Sequence, residues 1–158
     1  WSDIDFDNEL ITINGSTSGL KRVKGKTDDI PHFIPITKEI KTLLLTAKKY
    51  STSEEYVFSP ITHSRYKHID PEAPNNYIRK IGMRNRDGEM FVAHGWRRTF
   101  LTEGIDQFGF PREVIKKQMG HLPEGKVNRA YDSSQQLKER KQFLKVWGEA
   151  LVEMGLKL

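Results

Sequence analysis

The stretch Pro31-His-Phe-Ile-Pro-Ile-Thr-Lys-Glu-Ile-Lys-Thr-Leu-Leu-Leu-Thr-Ala47 changes its hydrophobic period halfway, and that change decides the fold class. Up to Ile36 it has β character. From Thr37 onward Ile40, Leu43, Leu44 and Ala47 recur at helical spacing, with the Thr37 hydroxyl placed to accept from the first free amides. The pattern predicts a strand feeding an amphipathic helix that buries one face.

Toward the N-terminus, Ile4, Phe6, Leu10 and Thr12 alternate with polar residues on either side of an Asp7-Asn8 turn. Asn14-Gly15 with Ser16-Thr-Ser-Gly19 reads as a second turn, Lys21 to Lys26 is basic, and Asp28-Asp29 reads as a tip. The opening third is therefore a small antiparallel sheet. Toward the C-terminus, Tyr56-Val-Phe58 is a short extended run, and Ser59 to Pro74 is loop-like. A second helix is predicted around Asn75 to Met83, stopped near Asp87-Gly88. A third runs from His94 to about Phe108 and ends at Gly109; Pro111 opens a fourth that stops at Gly120. The last spans about Ser134 to Met154, on the order of 30 Å at 1.5 Å per residue. Its stripe of Leu137, Leu144, Trp147, Leu151 and Met154 must dock, since each large side chain gains about 1.5 to 3 kcal/mol on burial. Packing on its own domain is the plainer outcome, and packing on a neighbouring subunit the alternative. The class is α+β: a mostly helical domain with a small antiparallel sheet near its start and a long C-terminal helix. One domain, 1–158, divides into a sheet region 1–36, a helical core 37–132 and a C-terminal helix 133–158.

With 158 residues the chain suits one domain with a real core. A net charge of +5 with 30% charged residues describes a solvated surface with a mild bias toward polyanions. No cysteine is present, so disulfides and thiolate zinc sites are excluded and a reducing cytoplasm fits. No targeting segment or apolar run of membrane-spanning length appears, so no membrane partner is expected. His63 and His68 fall in a loop and His32 in a strand, and no His-Glu-x-x-His helix exists; no metal or other cofactor is expected. The chain starts at Trp1 inside what reads as a structural element, as an excised piece of a longer protein would.

The chemistry sits in the second half. His94-Gly-Trp-Arg97 opens a helix, Gly120-His121 follows another, and Tyr131 lies in Asn128-Arg-Ala-Tyr-Asp132. A tyrosine hydroxyl can displace a DNA strand without metal if fixed cations hold the phosphate oxygens. Free tyrosine has a pKa near 10, so about one in a thousand is ionised at neutral pH, and Tyr131 needs help from Arg97 and the imidazoles. Alone, Tyr131 reads as a core aromatic and His94-x-x-Arg97 as a solvated helix face; Lys126, Asn128, Arg129 and Asp132 around the tyrosine weaken the first reading. Arg97 has a planar fork suited to two phosphate oxygens, while Arg98 points elsewhere. Trp96 reads as a core anchor rather than a base-stacking platform.

This ordered pattern resembles the catalytic domain of the tyrosine recombinases, or phage integrase family, and most of all integrases of prophages and genomic islands. The residues that carry the resemblance are Trp1-Ser-Asp-Ile-Asp5, Lys26-Thr27 with Pro31-His-Phe-Ile-Pro-Ile-Thr37, His94-Gly-Trp-Arg-Arg-Thr99, Met119-Gly-His121, and Lys126-Val-Asn-Arg-Ala-Tyr131. Leu137-Lys-Glu-Arg140 and Phe143-Leu-Lys-Val-Trp147 look like that group's C-terminal helix. The resemblance implies a site-specific recombinase in which Tyr131 is the nucleophile that forms a 3'-phosphotyrosyl link. His94 would assist proton transfer, and Arg97 and His121 would hold the non-bridging oxygens. Lys26 would protonate the leaving 5'-oxygen, with Lys24 as its competitor because the hairpin length departs from the family pattern.

Lys21, Arg22, Lys24, Arg98, Lys126 and Arg129 are candidate DNA-backbone contacts. Implied partners are double-stranded DNA at attachment sites, other recombinase protomers in a synaptic tetramer, and accessory DNA-bending proteins, all in a bacterial cytoplasm at the nucleoid. The family also carries a phosphate-binding arginine upstream of the Trp-Ser-Asp-Ile-Asp segment, and neither Arg22 nor Arg65 sits where it could replace it. Losing one such donor costs about 2.7 to 4 kcal/mol, so the chain by itself is expected to be weak or inactive. A type IB topoisomerase-like or telomere-resolving relative would share the chemistry, and a non-catalytic DNA-binding remnant is the reading from another class.

Overall fold

A computed structural model describes residues 1–15, 31–60, 66–121 and 136–158. The sheet forms first along the chain: β1 (Ile4–Asp5), β2 (Leu10–Ile13) and β3 (His32–Pro35) pair antiparallel in the order β1-β2-β3. Ile4 faces Ile11, and Ile11 in turn faces Ile34, so one row of isoleucines crosses all three strands. The β1–β2 turn lies where Asp7-Asn8 predicts it. Its chemistry belongs to Asp5, whose carboxylate accepts from the amides of Asp7 at 3.0 Å and Asn8 at 2.8 Å. These bonds hold the Asp5 carboxyl below its ordinary pKa.

Helix α1 (Lys38–Tyr50) begins where the period changes, and Thr37 is its N-cap, accepting from the Ile40 amide. Its predicted buried face is only half covered: none of its residues is fully buried, and Leu43 is exposed. Among the described elements its main packing partner is the last helix.

Helix α2 (Ala73–Lys80) stops earlier than predicted, because Gly82 takes a left-handed φ of 67° and its amide bonds back to the Arg79 carbonyl. The expected stop at Asp87-Gly88 is instead the tip of a small bridge pairing Arg84 with Met90. Tyr56-Val-Phe58 forms no strand; the segment is bent and held by serines, with Ser51 Oγ bonded to the Tyr56 carbonyl and to Ser59 Oγ.

Helices α3 (Ala93–Asp106) and α4 (Arg112–Gln118) are separated at Gly109, φ 67°, and α4 ends before Gly120, φ 74°. Helix α5 (Leu137–Glu153) lies across β3, α1 and α4 of its own chain. Its buried residues are Arg140, Phe143, Leu144 and Gly148. The expected stripe is therefore half right: Leu144 is buried, but Met154 is 76% exposed because the helix overruns the core. Phe143 is the centre of an aromatic cluster, with ring centroids 4.7 Å from Phe100 and 5.1 Å from Phe110, while Trp147 lies 4.9 Å from Phe100. Gly104 admits this packing: a Cβ there would stand 2.6 Å from Ile115 Cδ1 and 2.9 Å from Phe143 Cζ. Among the described residues, no helix is long and apolar enough to cross a membrane.

Candidate active site

The site grows from the junction of α3 and α4. Helix α3 has no side chain of its own at the cap; Asn75 on α2 supplies one from a distance, its Oδ1 accepting from the Ala93 amide at 2.8 Å. That bond fixes the start of the helix, and with it His94 and Arg97, which share one face one turn apart. His94 and Arg98 are exposed, whereas Arg97 is half-buried and its Nη2 donates to the Met119 carbonyl.

Met119 is the residue after α4, so the guanidinium of α3 grips the end of α4 just before the chain turns. The turn is made by Gly120, and the next amide, that of His121, returns to the Lys116 carbonyl at 3.0 Å. A Cβ on Gly120 would lie 3.6 Å from the ring of His32, which is buried on β3. His121 emerges exposed beside Arg97 and Lys116. Partial desolvation, then the charges of Arg97 and Lys116, hold its imidazole below the ordinary pKa. The shift favours the neutral imidazole, which can still donate an N–H. Anion binding at the same place reverses the Coulomb contribution and favours its protonated form.

The sequence candidates divide cleanly. Arg97 and His121 come together, and His94 stands one turn from Arg97. Tyr131, Lys26, Lys24, Lys21, Arg22, Lys126 and Arg129 lie outside the described residues. Trp96 corrects its prediction: it is 49% exposed and meets Phe91 edge-on at 4.9 Å, because α3 turns that face outward. Gln118, His32, Asn75 and Lys116 support the site, and sequence reading misses them because each acts through a partner remote in the chain or through the turn's own backbone. Among the described residues, no cluster of three or more His, Cys, Asp or Glu side chains could hold a metal ion.

Residues 1–138 match the model of a family described as the phage integrase family. The chain is also similar to prophage integrase IntS of Escherichia coli (strain K12), with 26% identity over 154 residues that cover 97% of this chain and 36% of that protein. The integrase of Shigella phage Sf6 gives the same identity and coverage, and prophage integrase IntA of E. coli (strain K12) is 26% identical over 94% of this chain and 33% of its own length. The chain thus spans about a third of the length of the curated relatives it matches. No solved structure matches.

Proposed function

The chain belongs to the phage integrase family, and from that premise we propose that it is the catalytic domain, 1–158, of a site-specific DNA recombinase that works through a 3'-phosphotyrosine. In this reading Tyr131 attacks the scissile phosphorus, a phosphotyrosyl bond forms, and the bond to the 5'-oxygen breaks. Lys26, or Lys24 in its stead, gives the leaving oxygen its proton, and His94 assists the transfer from the phenol. Arg97 and His121 hold the non-bridging oxygens, where charge builds in the transition state. Arg98, Lys21, Arg22, Lys126 and Arg129 meet the flanking phosphates, and the reaction runs between protomers on attachment-site DNA, with bending proteins as accessories, at the bacterial nucleoid.

The observation that supports this reading best is the approach of Arg97 to the Met119-Gly120-His121 turn. Two residues distant in sequence, each suited to a phosphate oxygen, are held at one junction, Arg97 by its guanidinium bond to the Met119 carbonyl and His121 by its backbone amide. Because the relatives are about three times as long, the 158-residue chain alone is proposed to be weak or inactive. The test uses the complete protein on a nicked attachment-site duplex, with the covalent adduct read on a denaturing gel. Tyr131→Phe is expected to abolish the adduct while DNA binding persists. An adduct that survives this change removes the assignment, and an adduct formed equally well on any duplex points to a topoisomerase-like activity instead.

A further inference from the structure

Arg140 is the residue of the core whose presence burial energy explains least. No solvent reaches it, and desolvation lowers its pKa to about 10. Among its bonds, its Nε donates to Gln118 Oε1 at 2.8 Å and its Nη2 to the Phe33 carbonyl. A packed apolar side chain of similar volume often stabilises a fold as well or better than a buried charge. What an apolar side chain lacks is direction, and the planar guanidinium fork supplies it.

Both acceptors adjoin the site. Gln118 is the last residue of α4; after it come Met119, whose carbonyl takes Arg97, then Gly120 and His121. Phe33 follows His32, whose ring lies against Gly120. The turn that presents His121 therefore sits between two walls, the end of α4 and β3, and Arg140 ties those walls to each other. Arg140 also lies in the first turn of α5, nine residues after Tyr131 in sequence.

We propose that Arg140 is a positioning residue for strand cleavage: by joining Gln118 to the Phe33 carbonyl it fixes the turn that carries His121. This rests on the roles of His121 and Tyr131 given above. Arg140 reaches no DNA, so its removal acts on the chemical step and not on affinity. A displacement of about 1 Å at a reacting centre costs on the order of a hundredfold in rate.

The test uses the complete protein on the nicked attachment-site duplex, measuring the maximal adduct rate at saturating DNA, the affinity, and the urea unfolding midpoint. Arg140→Met is expected to lower the rate about a hundredfold with affinity unchanged. The double variant Arg140→Met/Gln118→Leu also removes the stranded Gln118 acceptor, so its midpoint recovers in part while its rate does not. Should Arg140→Met fail to fold, the double variant carries the test. Arg140→Lys, a point charge without the fork, restores the midpoint more than the rate. A rate that recovers in step with the midpoint in the double variant overturns the proposal, as does a loss of affinity parallel to the loss of rate. One reading does not depend on turnover: in DNA-free protein, Arg140→Met shifts the His121 ring resonances, and unchanged resonances also overturn it. If Tyr131→Phe keeps its adduct, the nucleophile assignment falls, and the His121 resonances still decide whether Arg140 holds that turn.

Discussion

Helix α5 is bound to the domain along two seams that meet at Phe143 and Arg140, three residues apart, and the two work by opposite means. Along α3 and α4 the seam is aromatic: Phe143, Phe100, Phe110 and Trp147 stack at tilted or edge-on angles over Ile115, with Gly104 cut back to admit them. Along α4 and β3 it is polar: Arg140 reaches Gln118 and Phe33, and Arg97 reaches Met119 nearby. The aromatic seam gains free energy from area removed from water, which depends little on angle. The polar seam gains little net energy, but each of its bonds fails if the geometry moves. The first makes α5 dock; the second determines where the end of α4, and so His121, points.

The largest expected effect tests the aromatic side. Phe143→Ala should cost about 3 to 5 kcal/mol in urea unfolding, as a fully buried ring removed from a packed cluster does. A loss below about 1 kcal/mol would mean that the seam collapses around the gap and does not hold α5. Gly104→Ala should come next. Overpacking against Ile115 and Phe143 outweighs the helix propensity gained, for a net loss of about 1 kcal/mol; a gain in stability would show the seam to be slack.

The pH dependence examines the polar side. His121 has a folded pKa below its ordinary value, so its contribution is complete above the unfolded pKa near 6.5 and is lost as pH falls through the lower folded value. Unfolding midpoints at pH 7.5 and 5.5 should differ less in His121→Asn than in the parent chain, by a smaller margin than either core substitution produces. Equal slopes would place the imidazole in ordinary solvent, away from Arg97 and Lys116. The smallest effect lies outside both seams. Lys141 pairs with Glu9 at the surface, both half exposed, and draws the Glu9 carboxyl below its usual range. Lys141→Ala should leave the urea midpoint almost unchanged, and what difference there is should fade in added salt.

Much of the fold was legible because its signals are local. Thr37 caps α1 with its own hydroxyl, Gly109 and Gly120 adopt the positive φ that ends a helix, and the alternation around Ile4 and Leu10 places a hairpin without reference to anything else. Where a local signal was present but outweighed, the boundary shifted: Gly82 ends α2 ahead of Asp87-Gly88. The candidate site was legible as a set of residue types, of which Arg97 and His121 come together in the structure, though not as an arrangement. Nothing near Arg140 in the chain announces that Gln118 and Phe33 are among its partners, and nothing near Ala93 points to Asn75. Trp96 and Met154 carry the same apolar chemistry as buried neighbours, and only the limits of the core leave them in solvent.

The amino-acid sequence by itself determined the order and kind of most strands and helices, though not every boundary, and the order of the His94, Arg97 and His121 residue types. Short-range sterics and hydrogen bonds within a few residues suffice for that. Tertiary structure alone decided that Arg140 is buried, that Arg97 spends a donor on the Met119 carbonyl, and that desolvation and the charges of Arg97 and Lys116 lower the pKa of His121. Those depend on which distant groups share a low-dielectric space, and burial, charge and bond direction have no value until the chain has closed on itself.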